Sequence, residues 1–269
     1  MTYVQPIPLE AAIVRLQGSD ALAFAQAQFS SDVNALQIGT WQWSAWLDAK
    51  GRVVALFHLV YLNPDQLLLV LRGGDASRVA KGLARYVFRS RVEITTLPAL
   101  PLADADNAQA FSVNGNVNDL TLGFDSYAVR IGSPHAANSQ WRHAAMQAGH
   151  PWLVESLHGT LLPPALSLRR LGAVSFSKGC FPGQEIVARM HYRGRHKYQL
   201  CHVMLPSAVP PGLTWTPSSD DEGNLVVLDC IERHGDLHEA LGIAHERVIE
   251  TWSNEAENSP LKVLGTFPT

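Results

Sequence analysis

One cysteine of this sequence stands in surroundings that could make its thiol reactive. In the stretch KGCFPGQEIVARM, Cys180 lies between Gly179 and Gly183. Glycines adopt backbone angles closed to other residues, so this turn can be sharp and a ligand can approach the chain closely. Lys178 adds a cation that favours the thiolate. The pattern predicts a nucleophilic Cys180 whose pKa is lowered.

The residues after the cysteine predict a helix. Pro182 suits the first turn of a helix, and Glu185 lies where the helix dipole favours an acid. Cys180 would then precede a helix N-terminus, which also favours its thiolate. The alternative is a buried, inert cysteine, because free cysteine is among the most buried residue types. His191 would lie about three helical turns further on, so a direct Cys–His catalytic pair along this helix is not expected.

A cationic strip follows, formed by Arg189, Arg193, Arg195 and Lys197. These side chains could attract an anion: a polyglutamate tail, a phosphate or an RNA backbone. The alternative is a solvated helix end whose cations suit the negative pole of the helix. The sequence leaves both interpretations open.

Other aromatic and imidazole groups give weaker signals. Trp41, Trp43 and Trp46 could stack on a flat heterocycle, although aromatic residues in strands more often pack in a core. His234 and His238 have i, i+4 spacing but lack the metalloprotease glutamate. Because no C-x-x-C pair exists either, no metal site is predicted.

Composition limits the class of protein. The 269 residues are 46% hydrophobic and 17% charged, which favours a packed core over disorder. The net charge of −3 disfavours a general nucleic-acid binder. Three scattered cysteines do not predict a disulfide framework. With no signal-peptide pattern and no long apolar run, we expect a cytoplasmic protein with reduced thiols.

Hydrophobic periodicity predicts an α+β fold. Two amphipathic stretches, residues 18–33 and 139–149, predict helices, and residues 40–97 predict a β-β-β-α-β unit. The proline-rich residues 98–107 predict a linker. Short strands separated by proline and glycine after Lys197 predict a small β-barrel or sandwich. Helices and strands do not alternate regularly, which favours α+β over a doubly wound sheet.

Three motifs together are similar to one family. KGCFPGQEIVAR closely resembles the K-G-C-[YF]-x-G-Q-E signature of the YgfZ-type folate-binding proteins, relatives of the T-protein (aminomethyltransferase) of the glycine cleavage system. LDAKGRV at 47–53 resembles the D-x-K-G-[RK] turn of that family, and residues 18–33 resemble its early helix. The order and spacing of these motifs agree across about residues 10–205.

The resemblance implies two interleaved α+β subdomains around a central hole, followed by a C-terminal β-barrel. Subdomain A would comprise residues 1–40 and 105–195, subdomain B residues 41–104, and the barrel residues 196–269. It further implies that tetrahydrofolate or a derivative is the cofactor. The implied role is to support iron–sulfur cluster assembly or repair, and thereby tRNA modification, including methylthiolation, by iron–sulfur enzymes.

The resemblance also assigns residues. The functional loop would comprise Lys178, Gly179, Cys180, Gly183, Gln184 and Glu185. Cys180 would be the reactive or sulfur- or iron-facing group, tuned by Lys178, while Gln184 and Glu185 would make polar contacts near a folate channel. The opposing rim would comprise Asp48, Lys50 and Arg52, whose cations could meet a folate carboxylate.

Two positions depart from the family pattern. Ala55 stands where glycine-cleavage relatives carry an acid that supports methylene transfer, and alanine cannot hold a proton. Aminomethyltransferase activity is therefore not expected. Ser167 and Arg169 stand where relatives often carry N-L-D. A one-carbon transferase and an RNA-binding module that uses the cationic strip are the alternative functions.

Overall fold

The computed structural model describes residues 10–106, 108–132, 139–194, 196–217, 223–233, 237–254 and 261–268. Eight strands form the first sheet: β1 (Glu10–Gln17), β2 (Thr40–Leu47), β3 (Val53–Asn63), β4 (Gln66–Leu71), β5 (Glu93–Asp104), β6 (Val113–Asn116), β7 (Asp119–Gly123) and β8 (Ala128–Gly132). Five α-helices lie in the described ranges: α1 (Ala21–Gln28), α2 (Ala76–Ala84), α3 (Gln140–Gln147), α4 (Gln184–Arg193) and α5 (Glu246–Asn254).

The first sheet has the order β2-β3-β4-β1-β5-β8-β7-β6, and its neighbouring strands are antiparallel. The predicted β-β-β-α-β unit is confirmed, because β2, β3, β4, α2 and β5 follow in that order. Asp75 caps α2 by accepting a hydrogen bond from the backbone N–H of Ser77, and Val79 and Leu83 are buried on the inner face of that helix.

The prediction of a linker at 98–107 is wrong for most of these residues, because strand β5 continues to Asp104. The prolines of this segment favoured a loop, because proline lacks the backbone N–H that would donate a hydrogen bond to the neighbouring strand. The ladder between β1 and β5 is irregular between Ala11 and Ile13, and Pro98 lies opposite that irregularity. The strand therefore accommodates Pro98 where the regular hydrogen bonding is already interrupted.

The first sheet separates two hydrophobic layers, as the alternation of strand side chains requires. One face packs under α1 and α2, with Val14, Phe57, Leu59 and Leu69 beneath Phe24, Val79 and Leu83. The other face belongs to a second core, which contains Ile13, Trp41, Trp43, Val70, Trp141 and Trp152. The tryptophans of β2 are therefore core residues.

Helix α1 is shorter than the predicted 18–33, because the chain becomes extended at Phe29. Phe29 pairs with the backbone of Trp46, and the buried Ser30 hydroxyl donates to the carbonyl of Ala173 at 2.6 Å and lies 3.1 Å from the carbonyl of Ala45. These tertiary contacts replace further helical turns, although Phe29 and Val33 are still buried.

The C-terminal region forms a second, antiparallel sheet in the order β10-β11-β12-β9-β13. Its strands are β9 (Tyr198–Leu205), β10 (Thr214–Trp215), β11 (Leu225–Glu232), β12 (His238–His245) and β13 (Lys262–Phe267). The predicted strands are confirmed in part, since the run after His245 is helix α5. Among the described residues no pairing joins β10 to β13, so a closed barrel and the subdomain limits stay predictions. No helix in the described ranges is long and apolar enough to span a membrane.

Candidate functional site

The loop that carries Cys180, called the cysteine loop, packs directly against the D-A-K-G turn at residues 48–51. Gly183 is the N-cap of α4, with φ at +75°. A Cβ added to Gly183 would lie 2.4 Å from the carbonyl oxygen of Asp48 and 2.7 Å from the Cα of Gly51. Only glycine permits this approach, so the second glycine of the cysteine loop fixes that loop on the D-A-K-G turn.

Asp48 shapes the turn between β2 and β3. Its Oδ1 accepts hydrogen bonds from the backbone N–H groups of Lys50, at 2.9 Å, and Arg52, at 2.8 Å. The side chains of Lys50 and Arg52 are exposed, and the Arg52 guanidinium donates to the carbonyl of Gly159 at 3.3 Å. Asp48 is thus a turn-forming residue, while both predicted rim cations are accessible to solvent.

Lys178 is buried and serves as an anchor. Its Nζ donates to the carbonyls of Gln26 at 2.6 Å, Phe29 at 2.5 Å and Ser31 at 2.8 Å. Burial lowers the pKa of Lys178 to about 8. Within the described residues the ammonium makes no hydrogen bond to Cys180, so its observed contacts position the loop, and a direct effect on the thiol stays a prediction.

Cys180 is exposed, which excludes the buried alternative for this residue. A Cβ added to the neighbouring Gly179 would meet no atom within 4 Å, so space lies open beside the sulfur. By contrast, Cys201 is buried and Cys230 half-buried. Burial raises the pKa of the Cys201 thiol to about 12 and also raises that of Cys230.

Helix α4 begins at Gln184. Pro182, predicted to lie in the first turn of this helix, therefore precedes it. Gln184 is half-buried and Glu185 is exposed in the first turn. Neither side chain makes a hydrogen bond to another described residue, so both remain free for contacts with a ligand.

Of the cationic strip, Arg189, Arg193 and Lys197 are exposed, whereas Arg195 lies outside the described residues, as does His234.

An internal cavity that no sequence motif predicts lies on the face of the first sheet that packs in the core with Trp41, Trp43, Trp141 and Trp152, here called the tryptophan face. Its walls include His58, Arg72, Phe124, Trp141 and Trp152, and it encloses about 10 Å³, room for about one water. Both ring nitrogens of His58 and the indole nitrogen of Trp141 are buried without a hydrogen-bond partner. Such orphaned groups commonly mark a site for water or a ligand.

The Arg72 guanidinium gives this cavity a buried cation. It lies 4.6 Å from the ring centroid of Trp152, 5.7 Å from Trp43 and 5.9 Å from Trp141. Burial lowers the pKa of Arg72, and burial followed by the charge of Arg72 holds the pKa of His58 well below its usual value. His58 is therefore a neutral imidazole that can donate from one nitrogen and accept at the other.

An outer cleft of about 400 Å³ adjoins the cavity and shares Leu71 and Trp152 with it. The inner cavity has room for about one water and is too small for a pterin in this conformation. Leu71 and Trp152, which line both spaces, lie between the inner cavity and the outer cleft.

The two departures from the family pattern have structural explanations. Ala55 lies in the core beneath α1 and α2, on the opposite face of β3 from His58. An acid at position 55 would therefore face away from the cavity, whereas His58, on the other face of the same strand, lines it. Ser167 has φ at +52°, in the left-handed region that asparagine tolerates well. Arg169 is exposed and lies beside His191.

Comparison with solved structures defines the fold. The structure of the glycine cleavage system aminomethyltransferase T from Bartonella henselae matches 87% of this chain and 76% of its own chain, with a TM-score of 0.56 and 12% identity. The chain thus has the fold of a glycine cleavage T-protein, and the mixed α and β architecture is confirmed.

Sequence comparison identifies the relatives. The tRNA-modifying protein YgfZ of Sodalis glossinidius (strain morsitans) is 28% identical over 235 residues, covering 74% of this chain and 71% of the relative. The protein of that name from Vibrio vulnificus (strain CMCP6) is 26% identical over 264 residues, covering 86% and 80%. No protein-family model matches the chain. The resemblance to the YgfZ-type proteins is confirmed.

Proposed function

We propose that this protein binds tetrahydrofolate and, in the cytoplasm, supports iron–sulfur enzymes that modify tRNA. One observation carries the proposal: Gly183 seats the cysteine loop on the D-A-K-G-R turn and leaves Cys180 exposed. The similarity to proteins named as tRNA-modifying, and the fold shared with an aminomethyltransferase, support the same conclusion.

Folate binding would use the rim together with the internal cavity, which holds about one water in this structure and would have to open by movement of a wall residue such as Trp152. His58 and the Trp141 indole supply hydrogen bonds to a pterin edge, and the stacked Arg72 supports a flat, electron-rich ring. Lys50 and Arg52 remain the cations for the folate carboxylates. Bound tetrahydrofolate would supply one-carbon chemistry; these residues would hold and orient it.

Calorimetric titration with tetrahydrofolate tests this assignment. We expect His58→Leu to weaken binding by at least about tenfold, because a buried polar edge of the ligand would lose its partner. Lys50→Ala and Arg52→Ala should each weaken binding more at low salt than at high salt. If both rim variants bind normally, the rim assignment fails; if the native protein does not bind, the folate proposal fails.

The role of Cys180 is tested separately in cells. The thiol would face the sulfur or iron of a client enzyme, so Cys180→Ala should fail to restore methylthiolation of tRNA in a strain that lacks this protein. Cys230→Ala, a half-buried thiol outside the loop, is the matched control and should restore it. Full restoration by Cys180→Ala would contradict this role.

One-carbon transfer is the second candidate, favoured by the shared fold. An aminomethyl-transfer assay on the folate-loaded protein separates it from the first. Binding without turnover supports the accessory function, whereas aminomethyl turnover by the native protein would support a transferase.

A further inference from the structure

A second cleft, of about 330 Å³, lies at the far end of α4 from the cysteine loop. Its apolar floor comprises Pro163, Val174, Val187 and Met190. The volume is within the range of small-ligand sites and is sufficient for one nucleotide. Because α4 has 10 residues, its two ends are about 15 Å apart, which sets the rough separation between this cleft and the loop of Cys180.

Aromatic rings border this cleft. The rings of Phe176 and His191 are parallel, with centroids 4.5 Å apart and planes 4° apart. Tyr192 lies 4.7 Å from His191 and is 71% exposed. Tyr198, the first residue of β9, is 50% exposed and its ring lies 5.9 Å from that of His196. These rings offer faces on which unpaired bases can stack.

Among the described residues one arginine, Arg169, lines the cleft, and further cations lie on the same end of α4 and on the segment after it, on a chain whose net charge is −3. Arg189, Arg193 and Lys197 are exposed, and the exposed Arg169 lies 3.5 Å from the imidazole of His191. Glu246 is the acid among the described lining residues. The local excess of positive charge therefore complements a polyanion, and its association with exposed rings favours RNA over an acidic peptide.

From these observations we infer that the cleft and the flanking Tyr192 and Arg193 bind an unpaired segment of RNA, such as a tRNA loop. This inference rests on the proposed function in tRNA modification and names the partner for it. Phosphates would meet Arg169, Arg193 and Lys197, and bases would stack on Tyr192. A duplex would present phosphates but no free base faces, so single strands are preferred.

Fluorescence anisotropy of the full chain with a labelled single-stranded oligoribonucleotide, over a salt series, tests the inference. Tyr192→Ala should weaken binding at least about fivefold, as expected for the loss of one stacked base. Arg193→Gln should reduce the slope of log K against log salt by about 0.7, the value for one phosphate contact to a single strand. The same RNA annealed into a duplex should bind more weakly.

Phe88→Ala and Arg89→Gln are matched controls. Phe88 is 77% exposed with the Arg89 guanidinium 5.3 Å from its ring, but both lie between α2 and β5, away from the cleft. They should leave RNA binding unchanged. The inference would be overturned if the Phe88 and Arg89 variants lost as much RNA affinity as the Tyr192 and Arg193 variants. It would also be overturned if the protein preferred the duplex or showed no salt-dependent binding of RNA.

Tetrahydrofolate titration of the Tyr192 and Arg193 variants separates this inference from the proposed function. Normal folate affinity with weakened RNA binding supports the inference. If these variants instead lose affinity for polyglutamylated folate and retain RNA binding, the cleft is a site for the folate tail and the RNA inference is wrong, while the folate proposal stands.

Discussion

The ammonium of Lys178 lies 2.5 Å from the carbonyl oxygen of Phe29. The same group reaches the carbonyls of Gln26, inside the last turn of α1, and Ser31, beyond it. Carbonyls at a helix C-terminus have no partner within the helix, so a buried cation there satisfies several at once. The lysine of the cysteine loop thus fastens that loop to α1.

Lys178→Met should destabilise the protein by at least about 2 kcal/mol, because each buried acceptor left without a donor costs about 1–3 kcal/mol. Urea unfolding of the ligand-free protein measures the change. Lys50→Met makes the same substitution at an exposed position and should change stability by no more than about 0.5 kcal/mol. Equal effects of the two substitutions would contradict the anchoring role.

Gly183→Ala and Gly179→Ala form a second matched pair. Alanine at Gly183 would adopt a left-handed conformation, which costs about 1–2 kcal/mol, and its Cβ would displace the carbonyl of Asp48. We expect a lower midpoint of thermal unfolding and weaker folate binding. Gly179→Ala meets open space and should match the native protein in stability. A fully stable Gly183→Ala variant would show that the contact between the loops is dispensable.

Much of the secondary structure could be predicted because its signals are local. The β-β-β-α-β unit and α3 follow from the alternation and helical spacing of apolar residues. The second half of β5 could not be predicted, because the strand accommodates Pro98 only where its pairing with β1 is irregular. α5 was missed because its first residues continue the strand-like run of β12.

The site was predictable only where a motif signals it. The contact between Gly183 and Asp48 joins two motifs that the family resemblance had already brought together. The acceptors of Lys178 are 147 to 152 residues away in sequence, so no local pattern reveals them. His58 did carry a signal: a histidine within the apolar run VVALFHLVYL is a buried polar group that needs a reason.

Alkylation should distinguish the three cysteines. With iodoacetamide at neutral pH, the native protein should take up one equivalent rapidly, at the exposed Cys180. Cys201 should stay unmodified until the protein unfolds, because burial both blocks access and raises its pKa to about 12. Peptide mass spectrometry locates the label. Rapid labelling of Cys201 in the native protein would contradict the packing of β9.

Acid should unfold the protein through two histidines of the tryptophan face. Burial lowers the pKa of His150 to about 3, and that of His58 lies well below its ordinary value of 6.5. Below pH 6.5 the unfolded chain therefore binds protons that the folded chain does not. Stability should fall as the pH decreases below 6.5, and for His150 the fall should continue towards pH 3, with a slope of at most about 1.4 kcal/mol per pH unit for each histidine.

His58→Leu isolates one of these contributions. Leucine is similar in volume and removes two buried nitrogens that lack partners, so stability at pH 7 should stay the same or rise. Below pH 6 the slope of unfolding free energy against pH should be smaller by about 1.4 kcal/mol per unit, because one proton-linked group is gone. Urea unfolding from pH 7 to pH 4 measures both. An unchanged slope would mean that His58 is protonated in the folded protein, and a neutral imidazole could not then be assigned to the cavity.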